Sequence, residues 1–236
     1  MRDVRSSPWA RRVTLRRAQG ATALLVTALL VGGCAERYSE GRIHHDDSGK
    51  GGPLSAKSGE GGFGAAPSKK TPWYMSYGSF MLCARAPGAT ITLRKVDYEA
   101  GVVAPLEVRP YLRTVRKDQV VLNDEGWFTD ETNVFISAEG RPPALDGYKK
   151  PLVGTFTNKI DGHRVTQPCS ELRDPENGYT ELIFVMKFGK EGGYVPRASI
   201  EYTAGGDTYV LEMKWAMGAC GTKLPMPEVE ETKDLC

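Results

Sequence analysis

Beyond its first third, this chain carries apolar residues in short runs, many alternating with polar ones and separated by glycine- or proline-bearing turns. A period of two marks strands with one face in a core and the other in solvent. The pattern predicts strands over 79–84, 90–98, 106–115, 133–138, 152–157, 180–188, 198–203 and 208–215. Turn signals at Pro87-Gly88, Gly140, Asp161-Gly162, Asn177-Gly178 and Gly205-Gly206 fall between them. No window of helical length has a 3.6-residue period. In the clearest hairpin, Ile200 and Tyr202 face one way, the chain turns at Gly205-Gly206, and Leu211, Met213 and Trp215 alternate with Val210, Glu212 and Lys214. Residues 180–188 are almost continuously apolar, which predicts a central strand covered on both faces. The expected fold class is therefore all-β: a β-sandwich, with an immunoglobulin-like arrangement as the reference and an open barrel as the alternative. Apart from the strand at 152–157, the proline-rich stretch 139–176 is not placed.

The start of the chain follows a different pattern. Arg2, Arg5, Arg11, Arg12, Arg16 and Arg17 precede an apolar run from Ala21 to Val31, and then come Gly32, Gly33 and Cys34. A basic start, a short apolar middle and small residues at the end make a secretory signal. The apolar run is too short to span a hydrocarbon core of roughly 30 Å. Leu30, Val31, Gly32, Gly33 and Cys34 resemble the lipobox of bacterial lipoproteins. That resemblance implies cleavage before Cys34, lipidation of its thiol, and retention at the extracytoplasmic face of the cell membrane. Two acyl chains hold a protein on a bilayer where one gives only marginal binding. Arg11 and Arg12 also look like part of a twin-arginine export signal. The whole layout resembles small actinobacterial lipoproteins.

Residues 35–70 are rich in Gly and Ser with scattered charge, so residues 34–71 are expected to form a disordered tether ahead of a β domain over 72–236. Its coil reach would be roughly 30–36 Å. His44, His45, Asp46 and Asp47 gather metal-ligating types within it, but a disordered segment fixes no coordination geometry. Gly59 to Gly64 superficially matches a phosphate loop, yet lacks the strand-to-helix setting such a loop needs.

Composition narrows the chemistry. Without the leader's six Arg and one Asp, the 31 basic and 29 acidic residues become 25 and 28, a net charge of −3. No basic face suggests nucleic acid. If Cys34 is acylated, Cys83, Cys169, Cys220 and Cys236 remain, an even number in an exported chain. Two disulfides follow, with three pairings open. The 72–236 segment holds a single histidine, His163, and no Gly-x-Ser-x-Gly elbow, so neither a serine triad nor a zinc site is expected. No cofactor is expected. Carboxylate chemistry needs only two acids and no fixed sequence spacing. Asp124, Glu125, Asp130 and Glu131 surround Trp127 and form the candidate binding cluster, able to stack on a sugar or hold a cation. Trp73, Tyr74, Met75 and Tyr77 are read as packing residues. The expected function is a lipid-anchored, non-catalytic β domain that binds a protein or glycan partner. A glycan hydrolase using paired carboxylates is the alternative.

Overall fold

The computed structural model describes residues 43–47, 51–56, 61–126, 128–172, 174 and 177–224. In chain order the first strands are β1 (Ile43–Asp47), β2 (Leu54–Ser55), β3 (Gly61–Ala65), β4 (Trp73–Ala84), β5 (Ile91–Glu99) and β6 (Glu107–Val115). Short strands follow: β7 (Ser137–Arg141), β8 (Ala144–Leu145), β9 (Thr155–Thr157) and β10 (Arg164–Val165). The last are β11 (Tyr179–Phe188), β12 (Gly193–Val195), β13 (Arg197–Ala204), β14 (Asp207–Met213) and β15 (Trp215–Ala219). The described residues add two single 3-10 turns, Lys117–Gln119 and Cys169–Glu171, and no α-helix. The fold is all-β.

One sheet has the order β1-β14-β13-β5-β10. A second runs β8-β7-β4-β11-β6-β9, with β2 also paired to β4. A third, smaller one runs β12-β15-β3. Leu93, Ile200, Tyr202 and Leu211 from the first sheet share one buried cluster with Phe80, Leu82, Leu112, Leu182 and Phe184 from the second. The two sheets therefore pack face to face, and Val195, Met217 and Ala219 of the third join the same core.

Strand β11 explains the layering. Its even-numbered residues Leu182, Phe184, Met186 and Phe188 enter that core. Ile183 and Val185, on the other face, join a second cluster with Phe135, Leu145 and Leu152. The long 129–157 segment thus lies over the outer face of the sheet, so the strand is dry on both sides from Leu182 to Met186. Here the formerly unassigned part of 139–176 finds its place as a cover, with β7, β8 and β9 at the sheet margins.

Three expectations shift. The first strand predicted over 79–84 begins at Trp73, and Trp73, Met75 and Tyr77 are buried in the main core. A bulge hides this continuity: Phe80 faces Leu182 and Tyr77 faces Phe184, so Gly78 and Ser79 together oppose the single residue Ile183. The predicted strand over 208–215 divides at Lys214, where the chain leaves the first sheet for the third. Within the stretch 34–71, expected as a tether, the described parts make strand pairings. Strand β1 pairs in parallel with β14, β2 pairs with β4, and β3 pairs in parallel with β15. Leu54 is fully buried, and Ala56 and Ala65 are nearly so. The beta domain therefore starts well before residue 72.

Candidate functional site

The acidic loop comes first because the sequence singled it out. Asp124 and Glu125 lie in an exposed turn, where the Asn123 side-chain oxygen accepts the Glu125 N–H at 3.0 Å. Asp130 is also exposed. Glu131 is half-buried and pairs with Lys150 at 3.1 Å. Its own backbone N–H, then Lys150 and Thr129, hold its carboxyl below the usual range. Trp127 lies outside the described residues. Phe128 turns inward, edge-on to Tyr179 at 6.4 Å. Among the described residues no group of three or more His, Cys, Asp or Glu could hold a metal ion. The loop is a solvated acidic turn with one aromatic tucked inward, and its acids are not gathered around a shared point.

A pair that the sequence did not suggest fixes this loop. Arg113 and Glu181 sit directly opposite each other on β6 and β11, and both are fully buried. Arg113 Nη1 donates to Glu181 Oε2 at 3.1 Å and to the Asn133 carbonyl at 2.8 Å. Its Nε and Nη2 donate to the carbonyls of Val153 and Glu131, each at 2.8 Å. One guanidinium thereby ties the acidic loop and the cover segment to the sheet. Glu181 Oε1 accepts the N–H of Ser79, freed by the bulge, and that of Phe135, both at 3.0 Å. Burial pushes the Glu181 carboxyl up to about 7, against Arg113 and these two donors. Nothing opens this pair to a substrate, so its role is architectural.

His163 is half-buried, and its Nε2 has no hydrogen-bond partner. Burial lowers its pKa, and no nucleophile is bonded to that nitrogen.

A concavity lies elsewhere. A hollow of about 750 Å³ opens where three segments meet: residues 51–53, the β4–β5 turn and the β13–β14 turn. That volume suits a small ligand. Gly51, Gly52, Gly88 and Gly205 keep its mouth clear of side chains, while Arg85, Thr90, Asp207 and Tyr209 bring functional groups. The frame is firm. Cys83 and Cys169 form a disulfide with their sulfurs 2.08 Å apart, next to the Ala84 N–H bonded to the Gln167 carbonyl. The Arg85 N–H bonds the Pro53 carbonyl at 2.8 Å, and Arg85 Nε bonds that of Leu54 at 3.3 Å. Leu54 N–H donates to the Tyr202 hydroxyl at 3.3 Å, and the Tyr202 ring stacks on Tyr209 at 5.2 Å.

Both turns were visible in the sequence as turns. That they meet, with a formerly linker-like segment between them, is a long-range fact that no local pattern carries. Of the other cysteines, Cys220 is also disulfide-bonded, while Cys34 and Cys236 lie outside the described residues.

These features define a class: an all-β domain with a disulfide-framed hollow at one end of its sandwich. No protein-family model matches the chain, no curated protein matches it, and no solved structure matches it.

Proposed function

We propose that this chain is a lipoprotein, anchored through Cys34 at the extracytoplasmic face of the cell membrane, whose β domain binds a small ligand in the hollow without catalysis. The observation that carries the binding role is the hollow itself: rigidly framed, open, and lined by one carboxylate, Asp207. Hydrolysis of a glycan needs two carboxylates flanking the bond. In the Asp124–Glu131 loop Asp124, Glu125 and Asp130 are exposed and Glu131 is paired with Lys150, which gives the hydrolase alternative less support than the hollow gives binding. The location is supported by the leader pattern and by the Cys83–Cys169 disulfide, which suits an oxidising compartment.

The early strands change the expected reach. Only nine positions separate Cys34 from Ile43, where β1 begins. Fully extended, that length spans roughly 30 Å, and as a coil about half as much.

Intact mass of the native protein from the membrane fraction tests the location. A chain starting at Cys34 with diacylglyceryl mass is expected, and Cys34→Ala should release it from the membrane. A native chain that starts at Met1 and carries no lipid would overturn the assignment.

A further inference from the structure

Two cations meet on one tyrosine in the second sheet, away from the hollow. Tyr74 on β4 stands directly opposite Lys187 on β11. Arg141 closes β7, the strand on the other side of β4. The Arg141 guanidinium lies 4.7 Å from the Tyr74 ring centroid, and the Lys187 ammonium lies 5.8 Å from it. Each contact is favourable by itself, but the ring carries no net charge. Two like charges are therefore gathered and neither is cancelled. The carboxylates that the strands set beside them have other partners. Glu107, across from Lys187, pairs with Arg109, and Glu139, two residues from Arg141, accepts the Ser68 hydroxyl at 2.9 Å. Among the described residues no ion pair engages Arg141 or Lys187, and no hydrogen bond engages the Tyr74 hydroxyl. The backbone beneath is fixed: β11 is laddered to β4 and β6, and the Ser76 hydroxyl donates to the Gly140 carbonyl at 3.0 Å, next to Arg141. Arg141 is exposed and the other two are half-exposed, so solvent reaches all three.

A planar fork of N–H donors, an ammonium and a phenol hydroxyl donate from three directions. A tetrahedral oxyanion has acceptors for all three, and two positive charges match a dianion. A phosphate group has both properties, with a charge of about −1.5 to −2 at pH 7 when singly esterified. We propose that Arg141, Lys187 and Tyr74 bind a dianionic phosphate group. Two sources could present it, free inorganic phosphate or a phosphate ester.

The test uses the full native chain in a non-ionic detergent at pH 7.5 and fixed ionic strength, because exposed charges are screened by salt. Methyl phosphate, methyl sulfate and acetate are titrated against the tyrosine ring and arginine Nε–H signals in NMR. Methyl phosphate should bind at least about fivefold more tightly than methyl sulfate, which has the same shape and less charge, and more tightly still than acetate. Arg141→Gln should lose about tenfold and Lys187→Met about fivefold. Tyr74→Phe keeps the ring contacts and removes only the hydroxyl, and should lose about threefold. The melting temperature of each variant should stay within a few degrees of the parent, as for other surface substitutions. Lys159→Gln, an exposed cation elsewhere, should bind like the parent. Equal binding of the three probes overturns the proposal. So does Arg141→Gln binding methyl phosphate like the parent, or Lys159→Gln losing as much as Lys187→Met. Inorganic phosphate then assigns the source: tighter binding of methyl phosphate identifies an ester, and tighter binding of inorganic phosphate identifies the free ion. These outcomes stand whether or not the hollow takes a ligand and whether or not Cys34 carries a lipid.

Discussion

Arg113 and Glu181 face each other across two strands with no access to water, and between them they hold five backbone groups. Taking two charges out of water is costly, and the cost is recovered only when every lone pair and proton finds a partner. The carbonyls of Glu131, Asn133 and Val153 and the amides of Ser79 and Phe135 supply those partners. Glu181→Gln sets an amide NH2 against the Arg113 guanidinium that now donates to Oε2, and should cost about 3 kcal/mol at about pH 4.5, read from the urea midpoint with the disulfides intact. An unfolded glutamate titrates near 4.5, whereas the folded one is pushed up to about 7. Between those values the folded protein holds more protons than the unfolded chain. The contribution of Glu181 is then fully present below about pH 4.5 and declines as pH rises through 7. The stability difference between the parent and Glu181→Gln should shrink over that window. A difference that instead grows with pH would show that the ion pair outweighs burial. Gly78 belongs to the same device. A side chain there would collide with the Phe135 carbonyl and come within 2.8 Å of Glu181 Oε1, so only glycine lets the cover segment close on the bulge.

At the scale of elements, β4 is the hub. It pairs with β11, β7 and β2, and its penultimate residue is Cys83. The bond to Cys169 closes a loop of 86 residues, long enough for chain entropy to set a ceiling of about 4.6 kcal/mol on its stabilisation. Replacing both cysteines with alanine should lower unfolding stability by about 2–4 kcal/mol. Because the bond lies two positions from Arg85, ligand affinity should fall at temperatures where the opposite end of the β4–β11 ladder, Trp73–Met75 against Met186–Phe188, stays protected from hydrogen exchange. Uniform loss of protection would argue that the bond supports the whole sandwich and not the hollow in particular. Tyr77 reinforces β4 from the other side. Its hydroxyl donates to the Gly218 carbonyl at 2.6 Å inside the core, which ties the second sheet to the third.

At the scale of the whole molecule, the described strands ahead of residue 72 pair with the later sheets. Leu54 is fully buried, and the Phe63 ring packs 5.1 Å from Trp215 and 6.3 Å from Tyr77. Burying a side chain of that size is worth about 1.5–3 kcal/mol. A chain that starts at Pro72 should therefore melt about 5–10 °C below one that starts at Ser39, by calorimetry. Equal melting temperatures would return the segment to the status of a linker.

Local pattern by itself determined the all-β class, the dry central strand at 180–188 and the Gly205-Gly206 hairpin, because strand period and turn chemistry are properties of neighbouring residues. It also set the leader pattern that motivates the anchor at Cys34. Tertiary structure alone decided the rest. Glycines that locally read as flexible, such as Gly61, lie where an added Cβ would come within 3.0 Å of the Trp215 ring, so they serve close approach. The Arg113–Glu181 pair joins strands 68 positions apart, and the hollow collects residues from 51 to 209. Burial, pairing and concavity are relations between distant segments. A periodicity shows which face of a strand is apolar, but only the folded chain shows what that face meets.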